Sequence, residues 1–207
     1  MKARHVRPQA DEVSSAEDRS DFALLLIDVI NPLDFPEAPR LQKFVPAMTR
    51  VLVRLKKRAQ QAGAPIIYVN DNFGRWRSDL RQQVRYCQET KSRGAEMAMR
   101  LQPGNDDYFI LKPKHSGFFG TALETLLRSL GTRHLVLTGI AAISCILATA
   151  IDAHMRGYRL FVPRDGTISN TASENRTALK LMKDYVGADP RPAVEIRFRL
   201  SRKRGRG

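Results

Sequence analysis

Only two of the 207 residues are cysteine, Cys87 and Cys145. So few thiols, in a chain whose opening MKARHVRPQADEVSSAEDRSD carries no apolar export segment, exclude a disulfide framework and predict a cytoplasmic location. Any chemistry at sulfur is then thiol chemistry. No apolar run approaches the roughly 18–20 residues of a membrane span, so no membrane partner is expected. No GxGxxG follows the first apolar run and no Walker loop occurs, which removes the common nucleotide-binding readings. The four histidines, His5, His115, His134 and His154, lack ligand spacing, and neither a metal nor a cofactor is expected.

Acidic residues are also scarce, and the formal net charge is +14 at pH 7. Its distribution matters more than its size. Residues 1–20 balance four basic side chains against four acidic ones, whereas RFRLSRKRGRG at 197–207 has six basic and none acidic. Such a tail adheres to polyanions, yet no nucleic-acid module stands behind it, so specific nucleic-acid binding is not expected. Residues 1–20 and 201–207 are read as disordered tails around one domain at 21–200.

What the chain does have is alternation. FALLLIDVI (22–30), APIIYVN (64–70), DYFILK (107–112), HLVLTGI (134–140) and YRLFVP (158–163) are short apolar runs of the kind a strand buried on both faces requires. AVEIRFRL (193–200) adds a sixth candidate. Between them lie helical patterns at 40–63, 78–101, 119–131, 144–157 and 171–186; in the first, Leu41, Val45, Met48, Val51, Leu52 and Leu55 recur at helical intervals before Gly63. Repeated βα units predict a parallel sheet with helices on both faces.

Ligands of such sheets bind beyond the carboxyl ends of the strands. Three chemically useful side chains fall there: Asp28 after the first strand, Lys112 closing the third, and Cys145 where the fourth runs through Gly139 into a helix. Each alone has a structural explanation, as a loop cap, a snorkelling lysine or a core thiol. Together they suggest an activated nucleophile: Asp28 as proton acceptor, with Lys112 and the helix N-terminus near Ser144 lowering the thiol pKa. Backbone N–H groups at 141–145 would face an oxyanion. The constellation describes acyl transfer through a thioester.

The order Asp, Lys, Cys in the contexts ALLLIDVIN, FILKPKHSGF and LTGIAAISCILATAIDAHMRGYR resembles the isochorismatase-like cysteine hydrolases over roughly residues 22–187. The resemblance implies a three-layer αβα architecture around a Rossmann-like six-stranded parallel sheet, a catalytic triad at Asp28, Lys112 and Cys145, and hydrolysis of a C–N bond in a small amide, carbamoyl or ureido substrate. It further implies a non-proline cis peptide, placed by position between Ala141 and Ala142, and an oxyanion hole from the N–H groups of Ala142 and Cys145. Isochorismate cleavage itself does not require a cysteine, so Cys145 argues for amide chemistry. The metal-binding members of the family carry histidines after strand two; VNDNFGRW here has none.

Two departures stand out. Ile30 and Ile143 occupy places where relatives often carry Gln and Asp or Asn, which predicts a less polar pocket; Phe73, Trp76, Phe118 and Ile143 are candidate walls. The alternative reading is a weakened family member that acts as a binding or scaffold protein, with a polyanionic partner on its basic tail. A homo-oligomer, dimeric or tetrameric, is expected, against a monomer whose 71–100 segment covers its own pocket.

Overall fold

The computed structural model describes residues 19–72, 74, 80–89 and 92–198. Both expected tails thus lie almost wholly outside the described residues. Arg19 and Ser20 are the exceptions: Arg19 is exposed, whereas Ser20 is buried, donates its N–H to the carbonyl of Leu130 and receives the hydroxyl of Thr132.

The sheet is built on β1 (Phe22–Ile27), whose six residues are all buried. It pairs in parallel with β2 (Ile66–Asp71) on one side and β4 (His134–Ile140) on the other. β3 (Tyr108–Lys112) extends the sheet beyond β2. β5 (Arg159–Phe161) pairs with the lower half of β4, and β6 (Thr167–Ile168) with its upper end. All six strands are therefore parallel, in the order β3-β2-β1-β4-β5, with β6 also on β4.

Strand periodicity sends alternate side chains to two separate cores. Leu24 and Leu26 join the layer of α1 (Ala38–Gln42) and α2 (Val45–Gln61), with α3 (Leu80–Glu89) and α4 (Ala95–Arg100) on the same side. Ala23, Leu25 and Ile27 face α5 (Leu123–Ser129), α6 (Leu147–Met155) and α7 (Ala172–Val186). This is the expected three-layer arrangement. α7 starts at Thr171, whose hydroxyl accepts the N–H of Glu174 at 3.1 Å, and stops at Gly187 in the left-handed region.

Three element readings change. The 40–63 pattern divides into α1 and α2, because Pro46 in the first turn of α2 has no N–H with which to continue the preceding helix. The 78–101 pattern divides ahead of Gly94, where the chain presses on β1's exit loop so closely that a Cβ would lie 1.7 Å from the Asn31 carbonyl oxygen. The sixth strand is β6, not 193–200. Residues Ala193–Glu195 form a 3-10 turn instead, with Arg58 donating to the carbonyls of Ala193 and Ile196. Ala193 and Ile196 plug the α2 core while Asp189 bridges to Phe161, and residues 193–198 join no ladder. No described helix is long and apolar enough to cross a membrane.

Candidate active site

β1 delivers Asp28 as its first residue beyond the sheet. The residue has φ 52, a left-handed conformation that aspartate tolerates better than most side chains. Two bonds hold it: its N–H donates to Val69 O at 3.0 Å, and its Oδ1 accepts the N–H of Asp71 at 2.7 Å. Lys112, the last residue of β3, is fully buried and places Nζ 3.0 Å from Asp28 Oδ2, 3.4 Å from Asp71 Oδ2 and 3.5 Å from Cys145 Sγ. Strand ends thus bring the three sequence-predicted side chains together.

Gly139 makes this possible on the β4 side. At φ 110, a Cβ there would lie 2.0 Å from the Ile27 carbonyl oxygen, so only glycine lets β4 run against β1 immediately before the turn. The cis peptide joins Ile140 and Ala141, one bond earlier than the expected Ala141–Ala142 position. Ile140 is the last residue of β4 still paired, with Ile168, so the chain leaves the sheet at that bond. A π-helical turn at Ala142–Ile146 follows and leads into α6, so the thiol lies inside that turn and not at the start of a regular α-helix. Within it, Ile143 N–H donates to Ser169 Oγ at 3.2 Å and Ser144 N–H to Ala141 O at 3.1 Å.

The electrostatics overturn one expectation. Burial and then the charge of Asp28 raise the Cys145 thiol from 9.0 to about 12, outweighing the opposing effect of Lys112. The resting sulfur is a thiol, not a thiolate. Burial also raises the Asp28 carboxyl above its usual 3.8, further than Lys112 and the hydrogen bonds from Cys145, Lys112 and Asp71 lower it. A raised carboxylate is a stronger proton acceptor, and the Cys145 S–H donates to it. For Lys112, burial pulls the ammonium pKa down while Asp28, Cys145 and Asp71 raise it further, so it stays charged.

Two neighbours escaped the sequence reading. Asp71, the second carboxylate on Lys112, closes β2 one residue beyond the apolar run and obeys the same strand-end rule. His115 puts Nδ1 3.6 Å from Cys145 Sγ on the solvent side. Its only signal was nearness to Lys112, because its loop is positioned by α6: Thr149 Oγ1 accepts the Gly117 N–H at 3.0 Å and donates to Cys145 O at 2.7 Å, and Ser116 bonds Asp152. That anchoring also sets the direction of Phe118. Phe118 is turned into the helix layer, 6.0 Å from the Tyr158 ring and 4.8 Å beneath the Arg156 guanidinium, so most of its ring is spent on the core. Ile30 is likewise fully buried in the α2-side core, so its apolar side chain leaves the crevice unchanged. Ile143 is half-buried against the other core. Phe73 and Trp76 lie outside the described residues.

The likeness of this chain to known proteins goes beyond the fold. The sequence model of the isochorismatase domain fits residues 22–190. The chain belongs to the isochorismatase family. The uncharacterized isochorismatase family protein YaaI of Bacillus subtilis is 39% identical over 171 residues, covering 83% of this chain and 93% of its own length. The ureidoacrylate amidohydrolase RutB of Serratia proteamaculans is 43% identical over 72 residues, which cover 35% of this chain and 29% of that protein. Among solved structures, the N-carbamoylsarcosine amidase of Thermoplasma acidophilum superposes with a TM-score of 0.65 at 25% identity, over 85% of this chain and 98% of its own. The isochorismatase-family chain is accordingly a hydrolase. Among its described residues no group of three or more His, Cys, Asp or Glu side chains is arranged to hold a metal ion.

Proposed function

We propose that this hydrolase cleaves a C–N bond of a small amide, carbamoyl or ureido compound through a thioester on Cys145. One observation carries the reading: the buried Lys112 ammonium lies within 3.0 Å of Asp28 and 3.5 Å of the Cys145 sulfur. With burial and Asp28 holding the thiol well above its ordinary range, the sulfur is protonated at neutral pH, so deprotonation accompanies attack. The S–H proton passes to Asp28 as sulfur adds to the substrate carbonyl carbon, and Lys112 holds the carboxylate in place. The carbonyl oxygen gathers negative charge. Of the first four N–H groups of the helical run, Ile143 and Ser144 are engaged by Ser169 and Ala141; we assign those of Ala142 and Cys145 to that oxygen.

Collapse breaks the C–N bond as the departing nitrogen takes up the proton, with Asp28 as donor and His115 at the mouth as a second carrier. Water then adds to the thioester, again losing its proton to Asp28, and the acid leaves as the thiol reforms. The amidase names of two relatives support the substrate class, and the absence of histidine from VNDNFGRW supports chemistry without a metal. Incubation with a panel of amides, carbamoyl compounds and ureides, followed by mass spectrometry, tests the proposal. Substrate loss and an acyl adduct on the Cys145 peptide are expected, and Cys145→Ala should abolish both. Turnover persisting in that variant refutes the nucleophile.

A further inference from the structure

A second concave site opens on the far edge of the sheet. β6 pairs with β4 on one side only, and beyond it the first turns of α2 and α7 enclose a cavity of about 470 Å³. That volume falls in the range of small-molecule sites. Phe44, Met48, Val51, Ile168 and Leu179 make its lining largely apolar. Asp28, Lys112 and Cys145 do not line it.

The rim has the opposite character. Lys43, Arg164 and Arg176 all contribute to it, all are exposed, and none has a carboxylate partner among the described residues. Asp165 is the lining's one acid against these three cations, and its Oδ1 accepts the Ala193 N–H at 2.7 Å. Two buried polar atoms of lining residues have no hydrogen-bond partner, Thr167 Oγ1 and Asn175 Oδ1, and Thr167 is only 1% exposed. The amino end of the 15-residue α7 adds Thr171 and Ala172 to the wall, bringing the positive pole of its dipole. Unpaired cations around an apolar basin repel one another, and two guanidinium groups suit a carboxylate.

We propose that this basin binds a small carboxylate with an apolar body, one per chain, its acid group at Arg164 and Arg176 and its body over Phe44, Met48 and Leu179. The ligand would also bear on the catalytic turn. Ile168 of the lining pairs with Ile140, and Ser169 of the lining holds the N–H of Ile143 at 3.2 Å. Occupancy therefore acts on the segment that presents Cys145, without a group of the site itself touching the sulfur.

Calorimetric titration of the full chain with 2-naphthoate, in about 0.15 M salt to screen the basic tail, tests the assignment; 2-naphthalenemethanol is the neutral counterpart. Saturable one-to-one binding of the naphthoate is expected. The double variant Arg164→Ala/Arg176→Ala should weaken it at least tenfold while leaving the neutral probe unchanged, and Arg176→Gln alone should weaken it by less. Ala47→Trp, which places an indole in the basin from an exposed position on α2, should abolish both. Unchanged affinity in Cys145→Ala separates this site from the thiol crevice, and the result is independent of whether the chain turns over any amide. Three results overturn the proposal: no saturable binding, equal affinity in the double variant, or loss of binding in Cys145→Ala. A fourth is a sedimentation mass that halves in Ala47→Trp with no naphthoate effect, since the basin is then covered by a second copy of the chain.

Discussion

Replacing Asp28 with asparagine should make Cys145 more reactive toward a small alkylating reagent while abolishing turnover. The raised thiol rests on burial and on the charge and hydrogen bond of Asp28, against the charge and hydrogen bond of Lys112. Moving the pKa from 9.0 to about 12 lowers the thiolate fraction at neutral pH about 10³-fold relative to the unfolded chain. Asp28→Asn removes the Asp28 charge and should recover about tenfold or more of that loss; Lys112→Met removes the opposing charge and should slow labelling further. Iodoacetamide labelling between pH 7 and 9, read by peptide mass mapping, separates Cys145 from the buried Cys87. Steric closure of the crevice would slow all variants alike, so the opposite responses of the two substitutions identify the electrostatic cause. Wild-type Cys145 labelling as fast as the denatured chain, or Asp28→Asn labelling no faster than wild type, refutes the reasoning.

The acid limb of kcat/KM should lie above the ordinary aspartate value of 3.8, because Asp28 accepts a proton only when ionised and its pKa is raised; activity is present above that raised value and lost as pH falls through it. A limb at or below 3.8 would remove Asp28 as the base. Gly139→Ala should destabilise the fold by about 3 kcal/mol or more in urea unfolding, since its Cβ meets the Ile27 carbonyl oxygen at 2.0 Å. Lys56→Met should cost about 3–5 kcal/mol, because it strands the buried Asp107 carboxylate, now 2.7 Å from Nζ, and leaves the Tyr68 hydroxyl without its donor. A thermal midpoint unchanged in that variant would show the network to be dispensable.

Doubly buried parallel strands need uninterrupted apolar runs, and that requirement made β1 and β4 readable directly from FALLLIDVI and HLVLTGI. The same requirement exposed the site, because a charged residue that ends such a run has few places to go except a shared crevice; Asp28 and Lys112 meet there at 3.0 Å. Asp71 missed recognition by a single residue at the end of its strand. His115 could not be found in this way, since its approach to Cys145 depends on Thr149 and Asp152 holding a loop from another element.

Local chemistry along the chain therefore determined the layer architecture, the parallel sheet and the three residues at its carboxyl edge, because each depends on periodicity and on which side chain ends a run. Tertiary structure alone decided the rest. It placed β6 rather than 193–200 in the sheet, split a helical pattern where Gly94 meets the Asn31 carbonyl, and turned Phe118 into the core. It also reversed the sense of the Cys145 titration, since burial and the nearness of Asp28 are properties of the folded crevice and of no single segment.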